Sequence, residues 1–270
     1  MHKTLTSWLS KALAALLVFC TGLAAAQTTS RVVDIPTRAG VTQRLLVLTP
    51  PEPKAVAILF AGGQGGLLLG ASGDMQYGKG NFLIRARQLF VDQGLQVVIV
   101  DTPSDRQSPP YLGGFRQTPE HLADIKAVMA WTRAQNGLPV WLVGTSRGTQ
   151  SAAAIAVATS SDKAAGPDGL VLTSTILTEE RGNRSVPDMA LDTLAIPVLV
   201  VHHEQDGCKN CAFSNVPAMM NKLTAAPRKQ LLAFRGGSSR GDPCEAFAYH
   251  GYNGLEADVV AQTAQWMLAK

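Results

Sequence analysis

The sequence lacks a marked excess of charge of either sign. Its 270 residues include 24 Lys and Arg against 20 Asp and Glu, and only 16% of the chain is charged. Lys3 and Lys11 lie in an N-terminal segment that we expect to be removed, which leaves 22 basic and 20 acidic residues. So small a net positive charge gives no reason to expect nucleic acid or an anionic membrane surface as a partner.

Repeats, low-complexity tracts and linkers are also missing from the sequence. At 46% hydrophobic residues the chain has the composition of an ordinary globular protein, and it is long enough to form one large core. We therefore predict a single domain over residues 27–270.

The chain has no apolar run that is long enough for a comfortable transmembrane helix. Its most apolar stretch, residues 12–20, follows a basic start and precedes the small residues 24–26, as in a secretory signal with cleavage after Ala26. A lipoprotein anchored through Cys20 is the rival interpretation, but Phe19 stands where such a signal resembles Gly, Ala or Ser. We predict residues 1–26 to be a signal peptide, with export to the periplasm or medium and no stable membrane insertion.

Cysteine is scarce as well. The four cysteines of the chain fall to three once the predicted signal is removed, namely Cys208, Cys211 and Cys244. In an oxidising compartment we expect one disulfide, with one thiol left over.

What the sequence does contain is an alternation of apolar, β-branched runs with helical patterns. Several runs are almost wholly apolar, as expected for parallel strands that are covered on both faces. The pattern predicts an α/β fold with a doubly wound, mostly parallel sheet and helices on both faces. Strands are predicted at residues 43–49, 55–61, 96–101, 140–144, 169–174, 197–203 and 229–235, and helices at 81–93, 118–135, 149–159, 216–225 and 255–268.

One motif stands between a predicted strand and a predicted helix. Gly144, Ser146 and Gly148 form G-x-S-x-G, in which the two glycines let strand and helix approach closely around a strained turn. In this context the motif resembles the nucleophile elbow of the α/β-hydrolase superfamily, among serine esterases and dienelactone-hydrolase-like members with a minimal lid. The resemblance covers nearly the whole mature chain.

The resemblance implies that an acid and then a histidine follow the nucleophile. Asp206 lies in the loop after the predicted strand 197–203, and His250 lies in the loop before the last helix. Both positions are at carboxyl ends of strands, where doubly wound sheets place their sites. We predict Ser146 as nucleophile, His250 as general base and Asp206 as the acid behind it, with Asp101 and Glu204 as the alternative acids.

The resemblance also implies an oxyanion hole. The superfamily uses the backbone N–H after the nucleophile, here that of Arg147, with one from the loop after the third strand. In the glycine-rich loop 62–66 we expect the second donor to be Gly63 or Gln64, although Ala61 stands where many relatives have histidine.

Three further patterns resemble cofactor sites. The glycine loop lacks the third glycine of a dinucleotide fingerprint, since Leu68 stands there, and residues 73–80 lack the closing Ser or Thr of a P-loop. Cys208 and Cys211 form a C-x-x-C that could be a redox motif or, with Cys244 and His250, a zinc set. In an exported protein we predict a structural disulfide instead, and neither cofactor nor metal.

The disulfide that we favour joins Cys208 to Cys244, because their loops must meet if Asp206 and His250 form a pair; Cys211–Cys244 remains an alternative. The expected partner is a small-molecule ester. Residues 178–196 are polar and lack the apolar face of a lipid-binding lid. We therefore expect an open site for small or extended substrates.

The pocket of this open site should be lined by Leu67 together with Tyr111 and Phe115 from the loop 104–117. A peptidase or acyltransferase would share the same residues, and a non-enzymatic binding protein on a hydrolase fold is the alternative from a different class.

Overall fold

The computed structural model describes residues 27–162, 164–179 and 183–269. The predicted signal peptide, residues 1–26, lies outside the described residues. Within them, no helix combines the length and the apolar character that crossing a membrane requires.

A single eight-stranded sheet forms the centre of the molecule. In spatial order its strands run β1-β2-β4-β3-β5-β6-β7-β8. The first two form an antiparallel hairpin that joins β4 in antiparallel fashion, and all later pairings are parallel. The strands are β1 (Thr29–Arg38), β2 (Val41–Thr49), β3 (Ala55–Phe60), β4 (Leu95–Pro103), β5 (Val140–Thr145), β6 (Gly169–Thr173), β7 (Val198–His203) and β8 (Lys229–Phe234).

Helices cover both faces of this sheet, as the sequence predicts. Alternate side chains of β3 enter different cores, with Ala57 and Leu59 on one face and Ile58 and Phe60 on the other, because successive residues of a strand point to opposite faces. The first face is covered by α1 (Phe82–Arg85), α2 (Arg87–Asp92) and α6 (Glu256–Leu268), and the second by α3 (Pro119–Asn136), α4 (Gly148–Ala158) and α5 (Val216–Lys222).

Helix α3 begins and ends at the residues that its sequence indicates. The Thr118 hydroxyl accepts a hydrogen bond from the backbone N–H of His121, and Pro119 opens the first turn. At the other end, Gly137 takes a left-handed conformation with φ +66°. The local capping chemistry therefore determines this helix.

Two predicted helices are longer than those observed. The predicted helix 81–93 is two short helices, which meet at Ala86. The Ile84 carbonyl there accepts from the Ala86 N–H and from the Arg87 guanidinium, the latter at 2.7 Å. The predicted helix 216–225 ends at Lys222, and the Lys229 ammonium binds the Leu223 carbonyl at 2.9 Å beyond it.

Strand β1 is absent from the sequence prediction. It lies at the edge of the sheet, and most of its side chains are exposed or half-buried. An edge strand of this kind has no continuous apolar run for a sequence pattern to reveal.

Candidate active site

Ser146 lies in a tight turn between β5 and α4. Its φ is +52°, in the left-handed region that residues other than glycine rarely adopt. The turn is held from both sides, since the Ser146 N–H donates to the Thr173 carbonyl at 3.0 Å and its own carbonyl accepts from the Thr149 N–H at 2.9 Å. A strained conformation so well supported by its surroundings is typical of functional sites.

The two glycines of the motif are required by close approach. A Cβ at Gly144 would lie 2.5 Å from the Gly148 carbonyl oxygen, and one at Gly148 would lie 2.0 Å from the carbonyl oxygen of Phe60. The start of α4 therefore sits directly on β3 and β5, and this contact raises Ser146 at the carboxyl edge of the sheet.

His250 and Asp206 form a buried pair at the same edge. The imidazole Nδ1 and the Asp206 Oδ2 are 2.8 Å apart, and the second carboxylate oxygen accepts from the Cys208 N–H at 2.9 Å. With Nδ1 donating to the carboxylate, Nε2 carries the lone pair. Nε2 has no hydrogen-bond partner among the described residues.

The turn that carries His250 is tied to two strand ends. The Ser174 hydroxyl donates to the His250 carbonyl at 2.6 Å, and the Tyr252 hydroxyl donates to the Val201 carbonyl at 2.7 Å. Burial raises the pKa of Tyr252 well above its usual range, so it stays a neutral donor. Beside the turn, the His203 ring stacks on Tyr249 with centroids 4.5 Å apart.

The carboxylates of the two alternative acids bind other groups. All hydrogen bonds of the buried Asp101 carboxylate go to backbone N–H groups, those of Leu67, Leu68, Leu69 and Thr102, at 2.7–3.2 Å. Asp101 therefore holds the loop after β3 in shape. Glu204 forms a salt bridge with Arg235.

The glycine loop after β3 lies against Ser146. A Cβ at Gly62 would be 3.0 Å from the Cβ of Ser146. Gly63 and Gln64 follow it in sequence. Both residues and Arg147 line a cavity that opens beside Ser146. The Gln64 carbonyl accepts from the Leu112 N–H at 3.0 Å, which joins this loop to the loop before α3.

Arg116 is a site residue that the sequence analysis missed. Its guanidinium is buried beneath the glycine loop and donates to the carbonyls of Ala61 (3.0 Å) and Gly63 (3.2 Å) and to the hydroxyl of Ser151 (2.9 Å). These bonds hold the backbone of Ala61 and Gly63, two residues that line the cavity beside Ser146. An arginine in a Pro- and Gly-rich loop gives no signal in the sequence that it is buried.

A cavity of about 1300 Å³ opens beside these residues. It is lined by Ser146 and His250, and by two of the three side chains expected from the sequence, Leu67 and Tyr111. Phe115 does not line it, because its ring is buried and packs against His121, with centroids 5.6 Å apart.

Solved structures resemble this chain over nearly its whole length, whereas no protein-family model and no curated protein sequence matches it. A dienelactone hydrolase from Anabaena variabilis has a TM-score of 0.62 at 12% identity, covering 90% of this chain and 98% of its own. A cold-adapted esterase from an Arctic intertidal metagenomic library has a TM-score of 0.60 at 16% identity, covering 97% and 98%. The chain has the α/β-hydrolase fold.

Within the α/β-hydrolase fold, the segment after β6 is short. A serine hydrolase described as lacking a lid, from Xanthomonas campestris, matches with a TM-score of 0.54 at 18% identity, covering 88% of this chain and 95% of its own. Here the side chains of Val186, Leu191 and Leu194 from this segment are buried in the core beneath α4 and α5. None of the described residues between 178 and 196 lines the cavity.

A disulfide links the loop that carries Asp206 to the loop that carries His250. It joins Cys208 to Cys244, the pairing favoured from the sequence. Among the described cysteines, Cys211 lies outside this disulfide and is buried. The bridge thus connects the segments that carry Asp206 and His250.

Proposed function

We propose that the protein is an exported serine hydrolase that cleaves carboxylic esters through an acyl-enzyme. The observation that carries this proposal is the hydrogen-bonded His250–Asp206 pair beside the cavity that the strained Ser146 also lines. The esterases and the dienelactone hydrolase with the same fold support it. Export rests on the N-terminal sequence and agrees with the disulfide.

In the proposed reaction the Ser146 hydroxyl attacks the ester carbonyl while Nε2 of His250 accepts its proton. Asp206 holds the imidazole in the tautomer that this step needs and stabilises the imidazolium that forms. His250 then protonates the leaving alcohol. Water activated by the same nitrogen attacks the acyl-enzyme and releases the acid.

The negative charge that develops on the carbonyl oxygen needs preorganised donors. The N–H of Arg147, at the start of α4, is one, and the glycine loop supplies the other from Gly63 or Gln64. Arg116 and Asp101 act here as positioning residues, because both hold this loop through its backbone.

A fluorophosphonate probe tests the proposal, because it labels only an activated serine. We expect the wild-type protein to be labelled and to hydrolyse p-nitrophenyl acetate, and Ser146→Ala to lose both. Ser160→Ala, beyond the far end of α4, is the matched control and should behave as the wild type. Labelling that persists in Ser146→Ala contradicts the nucleophile. A wild-type protein that is neither labelled nor active would instead support a binding protein on this fold.

A further inference from the structure

Two large hydrophobic side chains lie exposed among the described residues, and both line the proposed active-site cavity. Tyr77 is 48% exposed and Phe247 is 51% exposed. The rest of the described large apolar side chains are buried or half-buried. Exposed apolar surface confined to one place commonly marks a contact site.

A third ring joins Tyr77 in the cavity wall. The ring of Tyr111 has its centroid 6.5 Å from that of Tyr77, with the planes tilted by 56°. It packs flat on Gly66, where a Cβ would lie 2.5 Å from a ring carbon, and its backbone has φ +52°. A tyrosine kept in this rarely adopted conformation is held in place by its surroundings before any substrate binds.

The ring of Phe247 is also fixed. The Arg85 guanidinium lies 5.3 Å from its centroid, and Arg85 is anchored in turn by Glu256 at 2.8 Å. A Cβ at Gly80 would lie 3.2 Å from the same ring. The ring is therefore immobilised on one side and exposed on the other.

We propose that the substrate carries an aromatic ring beside its scissile ester, and that Tyr77, Tyr111 and Phe247 bind this ring. The proposal rests on the proposed function, since it concerns the same cavity. Aromatic rings stack or pack edge to face at centroid distances of 4.5–7 Å, and two such contacts favour an aromatic over a saturated ring by about fivefold or more. The cavity of about 1300 Å³ leaves room for such a group.

Two pairs of esters with matched reactivity test this substrate class. Methyl 3-phenylpropanoate is compared with methyl 3-cyclohexylpropanoate, and 2-phenylethyl acetate with 2-cyclohexylethyl acetate. In both pairs the ring is not conjugated with the ester, so the carbonyls are equally reactive and only ring recognition differs. We expect kcat/KM for the phenyl ester to be at least about fivefold higher in one pair.

Variants connect the preference to the named rings. In Tyr77→Leu and Phe247→Leu the ratio of the two kcat/KM values should fall towards one, whereas Tyr77→Phe and Phe247→Tyr should keep it. Equal rates within both pairs in the wild type, with p-nitrophenyl acetate hydrolysed, would overturn the aromatic-ring proposal alone. Absence of all hydrolysis and of fluorophosphonate labelling would overturn the proposed function instead.

An independent observation concerns the three cysteines in the described part of the chain. The sulfur atoms of Cys208 and Cys211 and a ring nitrogen of His250 all lie within 4.8 Å of one another. Cys208 is bonded to Cys244, and the Cys211 N–H donates to the Cys208 carbonyl at 2.8 Å, which closes a turn between the two residues. A thiol thus lies next to a disulfide and next to a base.

We infer that Cys211 can replace Cys244 as the disulfide partner of Cys208. The Cys211 thiol gives its proton to His250 and attacks the sulfur of Cys208, so that the Cys208–Cys211 bond forms as the Cys208–Cys244 bond breaks. Cys244 leaves as a thiolate and takes up the proton from His250. One disulfide and one thiol are present before and after, so the exchange needs no external oxidant or reductant.

The exchange would change both the accessible thiol and the candidate site. Cys211 is buried, whereas Cys244 is exposed, so the reactive thiol moves to the surface. The link between the loop of Asp206 and the loop of His250 is lost at the same time. Hydrolysis by the proposed active site should fall as the exchanged form accumulates.

Alkylation of the folded protein with N-ethylmaleimide, followed by peptide mapping without reduction, tests the exchange. We expect the label on Cys244 together with a Cys208–Cys211 disulfide, formed faster at pH 8.5 than at pH 6.5 because the thiolate is the attacking species. Cys211→Ala and Cys211→Ser should keep the Cys208–Cys244 bridge and take up no label at Cys208 or Cys244. A wild-type protein that is labelled at Cys211, or not at all until it unfolds, would overturn the inference.

Discussion

Two buried histidines should make the protein sensitive to acid. His121 in α3 packs between Phe60 and Phe115, and neither ring nitrogen has a hydrogen-bond partner among the described residues. Burial, together with the charges of Arg116 and Arg38, lowers the pKa of His121 to about 3. Its imidazole therefore stays neutral in the folded protein at pH values well below the ordinary histidine pKa of about 6.5.

His202 in β7 lies in a similar environment. Burial lowers its pKa to about 4, although the negative charge of Asp206 opposes this shift. In the unfolded chain both histidines should titrate near the ordinary value of about 6.5. Between these folded-state values and about pH 6.5, the unfolded state thus binds two protons that the folded state does not bind.

The direction of the effect follows from these lowered pKa values. The contribution of each histidine is complete above about pH 6.5 and is lost as the pH falls towards its folded-state pKa. At pH 4.5 the loss is roughly 2–3 kcal/mol of unfolding free energy for each residue, and about 5 kcal/mol for both, relative to pH 8. This is a large part of the stability of an ordinary domain.

Denaturant unfolding of the wild type and of His121→Leu between pH 4.5 and pH 8 measures the contribution of one histidine. Leucine suits this apolar site and removes no hydrogen bond, so the variant should fold, with His121→Met as a second substitution. The difference in unfolding free energy between variant and wild type should shift in favour of the variant by about 3 kcal/mol from pH 8 to pH 4.5. Curves that run parallel over this range would refute the reasoning.

Three further results are expected. Asp206→Asn should lower kcat by about 10⁴-fold by favouring the wrong imidazole tautomer, and a larger loss in Asp101→Asn would reverse the assignment of the acid. The double variant Cys208→Ala/Cys244→Ala should lose about 4 kcal/mol of unfolding free energy, as the loop entropy of a bridge spanning 36 residues implies, and a Tm unchanged by differential scanning calorimetry would contradict this. In a chain-length series of p-nitrophenyl esters, acetate and butyrate should react fastest, and an optimum at palmitate would contradict an open site.

The order of residues along the chain was sufficient to predict much of the candidate site. A buried strand that runs into Gly144-x-Ser146-x-Gly148 indicates a tight strand-to-helix turn, because only glycine tolerates the contacts at its two flanking positions. The loops of Asp206 and His250 could be placed at one sheet edge because parallel strands bring their carboxyl ends together.

Other features depended on contacts between residues far apart in sequence. Asp101, Glu204 and Asp206 all follow strands, and only the folded chain shows that Asp101 binds backbone N–H groups, Glu204 binds Arg235, and Asp206 meets the histidine. Phe115 was expected in the cavity because loops carry specificity, but its ring packs on His121 instead.

By itself the sequence determined the strand-to-helix turn at Ser146 and the buried strands, because these depend on local patterns of glycine and apolar residues. The tertiary structure alone decided the inward position of Arg116 beneath the glycine loop and the edge strand β1. Both depend on hydrogen bonds with segments distant in the chain, and a local pattern carries no information about which distant group will accept or donate them.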